Sequence, residues 1–206
     1  MCVLIRLSRR FGYVGWMVVL IGALGCESPF ATRTPEAPEK PKPYQLLSRS
    51  MSPRNVLRNL KKVYDYALSV DDYMDGLTED FLFEPDPSDG FVYEDVFSVP
   101  WDGERERTFT DNLFDRIVSD PKKIPRVLTR WEEIAAEEEV EENEAVFEYE
   151  YRLEFKDKRD ASRKSAEGRA YLYLRRGEDE NWGIYRWVDE KTNVDVPSWG
   201  ALRARL

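Results

Sequence analysis

Between Phe147 and Lys156 the chain alternates without a break: Phe147, Tyr149, Tyr151, Leu153 and Phe155 are separated by Glu148, Glu150, Arg152 and Glu154. A period of two places every apolar residue on one face of a strand, and no helix can gather such a set on one side. Two further β-type runs follow at short intervals. One is Gly168 to Arg176, after a polar loop at 157–165; the other is Trp182 to Asp189, after a turn at 177–181. Connections this short specify an antiparallel meander. Its apolar face needs a cover, and helices upstream are expected to supply it.

Upstream, Val56, Leu57, Leu60, Tyr64, Ala67 and Leu68 recur at helical spacing behind Ser52 and Pro53, a capping residue and a first-turn proline. This predicts a helix over about 53–69. Asp71 is then expected to cap a short turn carrying Tyr73, Met74 and Leu77, followed by a brief strand at Phe81–Phe83. Glu84 to Gly90, with two prolines and a glycine, reads as a turn. A helix over 104–119 places Phe109, Leu113, Phe114, Ile117 and Val118 near one face, and Pro121 and Pro125 end it. Residues 126–140 suit a helix by propensity and a strand by context; the β-rich sequence that follows decides for strand.

The fold class is therefore α+β. The element order over roughly 52–206 resembles the nuclear transport factor 2-like superfamily, and the ending Trp182-x-Ile184-x-x-Trp187-x-Asp189, then Pro197-Ser198-Trp199-Gly200, is similar to uncharacterised bacterial lipoproteins of that group. The resemblance implies a cone, a curved antiparallel sheet closed by the N-terminal helices. Some enzymes of the superfamily, the ketosteroid isomerases and related dehydratases, use a cavity acid–base group with a tyrosine or carboxylic acid donor. The similar residues are aromatic packing positions, so they speak for fold more than for activity.

The first 25 residues have the three parts of an export signal: Arg6, Arg9 and Arg10, the apolar stretch Phe11–Leu24, and Ala23-Leu24-Gly25 before Cys26. This resembles a lipobox, which makes Cys26 the lipid attachment site of an envelope protein facing the extracytoplasmic side of a bacterial membrane. The expected organisation is a signal peptide at 1–25, a lipidated cysteine with a proline-rich tether at 26–51, and the cone domain at 52–206. Loss of the leader takes Lys+Arg from 31 to 28 against 40 Asp+Glu, a formal charge of −12. Such a balance disfavours nucleic acid as a partner. Membrane association is expected through the acyl anchor, with an apolar small molecule or an envelope protein as the further partner.

Histidine is absent, and the only cysteines are Cys2 and Cys26. Histidine-based triads, histidine metal cages and thiol chemistry in the folded part are excluded together. Ten glutamates lie between Glu132 and Glu150 with no lysine or arginine among them. They read as a solvated acidic face, since a calcium site needs ligands converging around a shaped loop. Pro85 and Pro87 stand where a calcium loop over 84–90 would need ligands, and no phosphate-binding glycine motif occurs, so neither metal nor cofactor is expected. The basic loop 156–164 reads as a soluble hairpin tip. The candidate cavity lining is Tyr149, Tyr151, Leu153, Leu172, Trp182 and Ile184. An enzyme would need a base there, and Asp71 and Asp72 are the candidates, provided one turns inward from a cap. The favoured reading is a noncatalytic ligand-binding or protein-interaction module; the alternative is a small-molecule isomerase or dehydratase.

Overall fold

The computed structural model describes residues 44–67, 69–118, 127–138 and 143–206. The leader, Cys26 and the tether as far as residue 43 lie outside the described residues, as do Pro121 and Pro125.

Helix α1 (Pro53–Lys62) starts as its sequence dictates: Ser52 Oγ accepts the Arg54 N–H at 3.2 Å and Pro53 occupies the first position. The helix then widens into a π turn over Val63–Ala67. There the consecutive Val63, Tyr64 and Asp65 are all buried, and Asp65 accepts the Leu128 N–H at 3.3 Å. Helix α2 (Val70–Met74) is capped by Ser69, not by Asp71, which lies within the first turn and is exposed. Strand β1 (Leu77–Glu84) is longer than the brief strand expected. The segment read as a turn opens a helix instead: Asp86 accepts the Ser88 N–H at 2.8 Å, and α3 spans Pro87–Val92. Asp-Pro favours turns and helix starts alike, and tertiary context chose the second.

A short α4 (Glu94–Phe97) and a two-residue β2 (Trp101–Asp102) lead into α5 (Gly103–Arg116). The ambiguous segment is a strand, β3 (Leu128–Glu138), followed by β4 (Glu144–Lys156), β5 (Arg163–Arg176), β6 (Trp182–Glu190) and the C-terminal helix α6 (Trp199–Arg205). The sheet order is β2-β1-β6-β5-β4-β3, open at both ends. The meander β3–β6 is antiparallel as the spacing requires, whereas β1 runs parallel to β6, with Phe83 opposite Trp187. The long connection between β1 and β6 permits that direction.

Along β4 the alternation is kept: Tyr151 and Leu153 are buried while Arg152 is exposed. Register shifts occur in β3/β4 and in β5/β6, where Ile184 and Trp187, three residues apart, both point inward. Such bulges add twist and bend a sheet into a concave surface. Gly168 is required by the packing on that surface. A Cβ there would stand 2.6 Å from the Tyr151 hydroxyl and 2.6 Å from the Glu190 carbonyl oxygen, so any side chain would displace Tyr151.

Residues 44–49, expected to belong to the tether, lie against the domain. The Asn59 side chain accepts the Leu47 N–H at 2.7 Å and donates to its carbonyl at 2.8 Å; Asn55 and Lys62 donate to the carbonyls of Ser48 and Gln45. Leu46 packs on the core. Asn59 is buried on the same face as Val56 and Leu60, so its amide would be costly without this backbone partner. Asn59→Ala should release the strap and cost about 1–2 kcal/mol of stability. Faster proteolysis at 44–50 is the accompanying readout, and a variant as stable and as resistant as wild type would contradict the docking.

Candidate functional site

Helix α5 presents Glu106, Phe109, Thr110, Leu113 and then Ile117 toward the sheet at three- and four-residue spacing. Glu106 is therefore carried into the cone by the same periodicity that buries the apolar residues. Its carboxylate accepts from the Tyr73 hydroxyl at 2.5 Å, Trp101 Nε1 at 2.7 Å, and Arg203 through Nε at 2.8 Å and Nη2 at 2.7 Å. Both members of this ion pair have side chains fully shielded from solvent. The guanidinium also lies 3.8 Å from the centre of the Phe83 ring. Burial works to lower the Arg203 pKa, but the facing Glu106 charge more than offsets it and the group is pushed up. The Tyr73 hydroxyl is pushed up by burial and by the same carboxylate.

A second network ties β4, β6 and α6 together. The Tyr151 hydroxyl donates to Asp189 Oδ1 at 2.6 Å and accepts the Trp199 N–H at 2.7 Å, while Asp189 Oδ2 accepts the Gly200 N–H at 2.8 Å. Burial pushes the Asp189 carboxyl up to about 6, against the opposing hydrogen bonds from Tyr151 and Gly200. Ser198, which caps α6 through Ala201 N–H, also donates to the buried Asp89. The Trp199 ring lies 4.5 Å from Trp187, 4.8 Å from Tyr151 and 5.5 Å from Tyr64, centre to centre. Helix α6 thus fills the cone with an indole and a guanidinium: Arg203 is paired with Glu106, whereas Trp199 Nε1 has no hydrogen-bond partner among the described residues.

The six residues expected to line a cavity are not brought to one place. Tyr151 faces Asp189; Tyr149 stacks on Trp131 at 4.5 Å and donates to Glu133 at 3.1 Å; Leu153 and Leu172 belong to the core. Trp182 is half-buried at the start of β6, and Ile184 alone of the six lines the small cavity described below. The candidate bases are elsewhere too: Asp71 pairs with Arg107 at 2.8 Å on the surface, and Asp72 accepts the Tyr44 hydroxyl. Glu106 and Asp189 are the buried carboxylates, among the described residues, that face the aromatic interior. Both could be found from periodicity, Glu106 in phase with Phe109 and Leu113, and Asp189 two residues after Trp187 on one strand face.

At the end of the molecule where the 44–49 strap crosses, two hollows adjoin. One, of about 280 Å³, is roofed by Leu46–Arg49 and floored by Val56, Leu60, Tyr73 and Ile184. The other, a cleft of about 870 Å³, runs along the start of β1 and the β5–β6 turn, past Thr78, Glu79, Asp80 and Arg175–Asp179. Arg49, Asp75 and Asn181 line both. Among the described residues no cluster of acidic side chains converges to hold a metal ion.

A concave six-stranded sheet closed by helices defines the α+β cone that the sequence resembles. A solved structure shares it: a ketosteroid isomerase-like protein from Erwinia carotovora atroseptica SCRI1043 is 10% identical, with a TM-score of 0.50 over 68% of this chain and 93% of that one. A nuclear transport factor 2-like protein from Salmonella enterica serovar Typhimurium is 13% identical, with a TM-score of 0.48 over 70% and 94%. A conserved protein from Planctomyces limnophilus is 15% identical, with a TM-score of 0.47 over 67% and 91%. At such identities the likeness is one of fold. No family model and no curated protein matches the chain.

Proposed function

We propose that this chain is a bacterial envelope lipoprotein, anchored through Cys26, whose cone domain is a noncatalytic binding module. The observation that carries the noncatalytic part is the occupied interior. A general base must come within hydrogen-bond reach of a substrate proton. Glu106 and Asp189 instead spend their oxygens on Tyr73, Trp101, Arg203, Tyr151 and Gly200, beneath a helix that brings Trp199 into the middle of the cone. The isomerase or dehydratase reading has the Tyr151–Asp189 pair in its favour, but that chemistry would require α6 to leave. The anchor rests on the leader, where the basic, apolar and small-residue parts occur in order before Cys26.

Mass spectrometry of the membrane fraction tests the anchor: the mature chain should begin at an acylated Cys26, and Cys26→Ala should block processing. An intact Met1 in the mature wild-type protein would overturn it. Assay of the purified domain for isomerisation or dehydration of small ketones and hydroxy compounds tests the rest. Turnover abolished by Asp189→Asn, with folding intact, would replace the binding module with an enzyme.

A further inference from the structure

We infer that the joined hollows beneath the 44–49 strap form a binding site for a small amphipathic amine, with its apolar body in the smaller, roofed chamber and its cationic head toward the cleft. The inference rests on the binding-module reading and names the ligand class of that module. Affinity and selectivity come from different parts of the site. The chamber floor is apolar and almost wholly shielded: Val56, Leu60, Tyr73 and Ile184 are each at most 4% exposed. Its volume of about 280 Å³ stands at the small end of ligand cavities, so a single ring or a short chain is the body it suits.

The charge of the head follows from which lining groups are already neutralised. Arg175 pairs with Asp80, and Arg176 with Glu180 at 2.7 Å. Arg49 has no ion pair among the described residues and only a weak attraction to Asp179, whose carboxyl is held low chiefly by the Asn181 side chain; the two charges together add nothing net to the cleft. Asp75, Glu79 and Glu178 line the same space and have no ion-pair partner among the described residues. The surplus is anionic, and Asp75 stands where chamber and cleft meet. A carboxylate ligand would meet that surplus head-on. A neutral ligand would gain from burial alone. An ammonium group 4–6 Å from Asp75 would add an attraction that salt weakens, because the head remains near solvent.

The strap completes the site. Leu46 to Arg49 form the roof through backbone held by Asn59 and Asn55, and the same residues continue directly into the proline-rich segment before them. The Asn59 amide therefore holds the roof in place over a chamber whose open side is the cleft.

Calorimetric titration of the full chain with three matched probes tests the inference: phenethylamine, 2-phenylethanol and 3-phenylpropionate. Phenethylamine should bind about tenfold more tightly than the propionate at low ionic strength, with the alcohol between, and added salt should narrow the gap. Asp75 is exposed, so Asp75→Lys should fold normally and bring the amine down to or below the alcohol. Ile184→Phe should weaken all three probes by filling the chamber. Equal binding of amine and acid, amine binding unchanged in Asp75→Lys, or no amine binding at millimolar concentration would overturn the assignment. Chemical conversion of a bound probe would overturn the noncatalytic reading and leave the amine site standing, so the two failures are distinguishable.

Discussion

Replacing Glu106 by glutamine should cost the domain about 3–5 kcal/mol, the range seen when one member of a buried ion pair is removed. Four donor contacts converge on this carboxylate, from Tyr73, Trp101 and two nitrogens of Arg203. A glutamine keeps the shape but offers one oxygen, and turns an NH₂ toward donors of which only the Tyr73 hydroxyl can also accept. Arg203 would remain cationic, fully buried and without its counter-charge. Domain stabilities are commonly about 5–15 kcal/mol, so the loss should shift the urea midpoint by a large fraction of its value. The pair is not thereby a net stabiliser, because both charges lost their water on folding. Glu106→Leu combined with Arg203→Met should recover most of the deficit. A single-variant loss below about 1 kcal/mol would show that the interior rearranges, and a double variant as unstable as the sum of its parts would show that the two side chains act separately.

The ion pair also shows where reading the sequence reached its end. Period-two alternation supplied the meander and the inward direction of Tyr151 and Leu153 because half-buried strands admit one register. Ser52-Pro53 supplied the start of α1 because capping chemistry is local. The errors came where one local signal serves two structures. Pro85, Asp86 and Pro87 suit a turn or a helix start, and Ser69 and Asp71 are both competent caps. The docked strap was missed because the polar, proline-rich composition around it outweighed Leu46 and Leu47, although an asparagine in phase with Val56 and Leu60 was a sign that something would have to satisfy it. Glu106 and Asp189 lay on legible inward faces. Arg203 lies one helical turn after Trp199, so its burial follows from that of the indole. What no single sequence specifies is that this arginine, 97 positions away, meets Glu106; that pairing depends on how the C-terminal helix enters the cone. The consequence for function is large, since the same fold with that helix elsewhere would have an open interior.

Stability should fall as pH rises from about 4 to about 7, by about 3 kcal/mol from Asp189 alone. The carboxyl is pushed up to about 6 by burial, so in that interval the folded protein holds a proton that the unfolded chain releases near the ordinary carboxylate value of 3.8. More protons bound in the folded state means that raising the pH favours unfolding. The contribution is complete below the ordinary value and is lost as pH passes the raised one. Asp157, held low by hydrogen bonds from Arg116, works in the opposite sense at lower pH, so the raw stability profile mixes the two. Comparison with Asp189→Asn separates them. The variant is expected to be less stable throughout, because an amide cannot accept from both Tyr151 and Gly200. The stability difference between the proteins should nevertheless shrink from about pH 4.5 to about pH 7, as wild type loses the benefit of its buried proton. Urea unfolding at several pH values measures this directly. A difference that stays constant across the interval would mean that Asp189 is ionised throughout, with the charge of the buried Arg203 outweighing the cost of taking the carboxylate out of water.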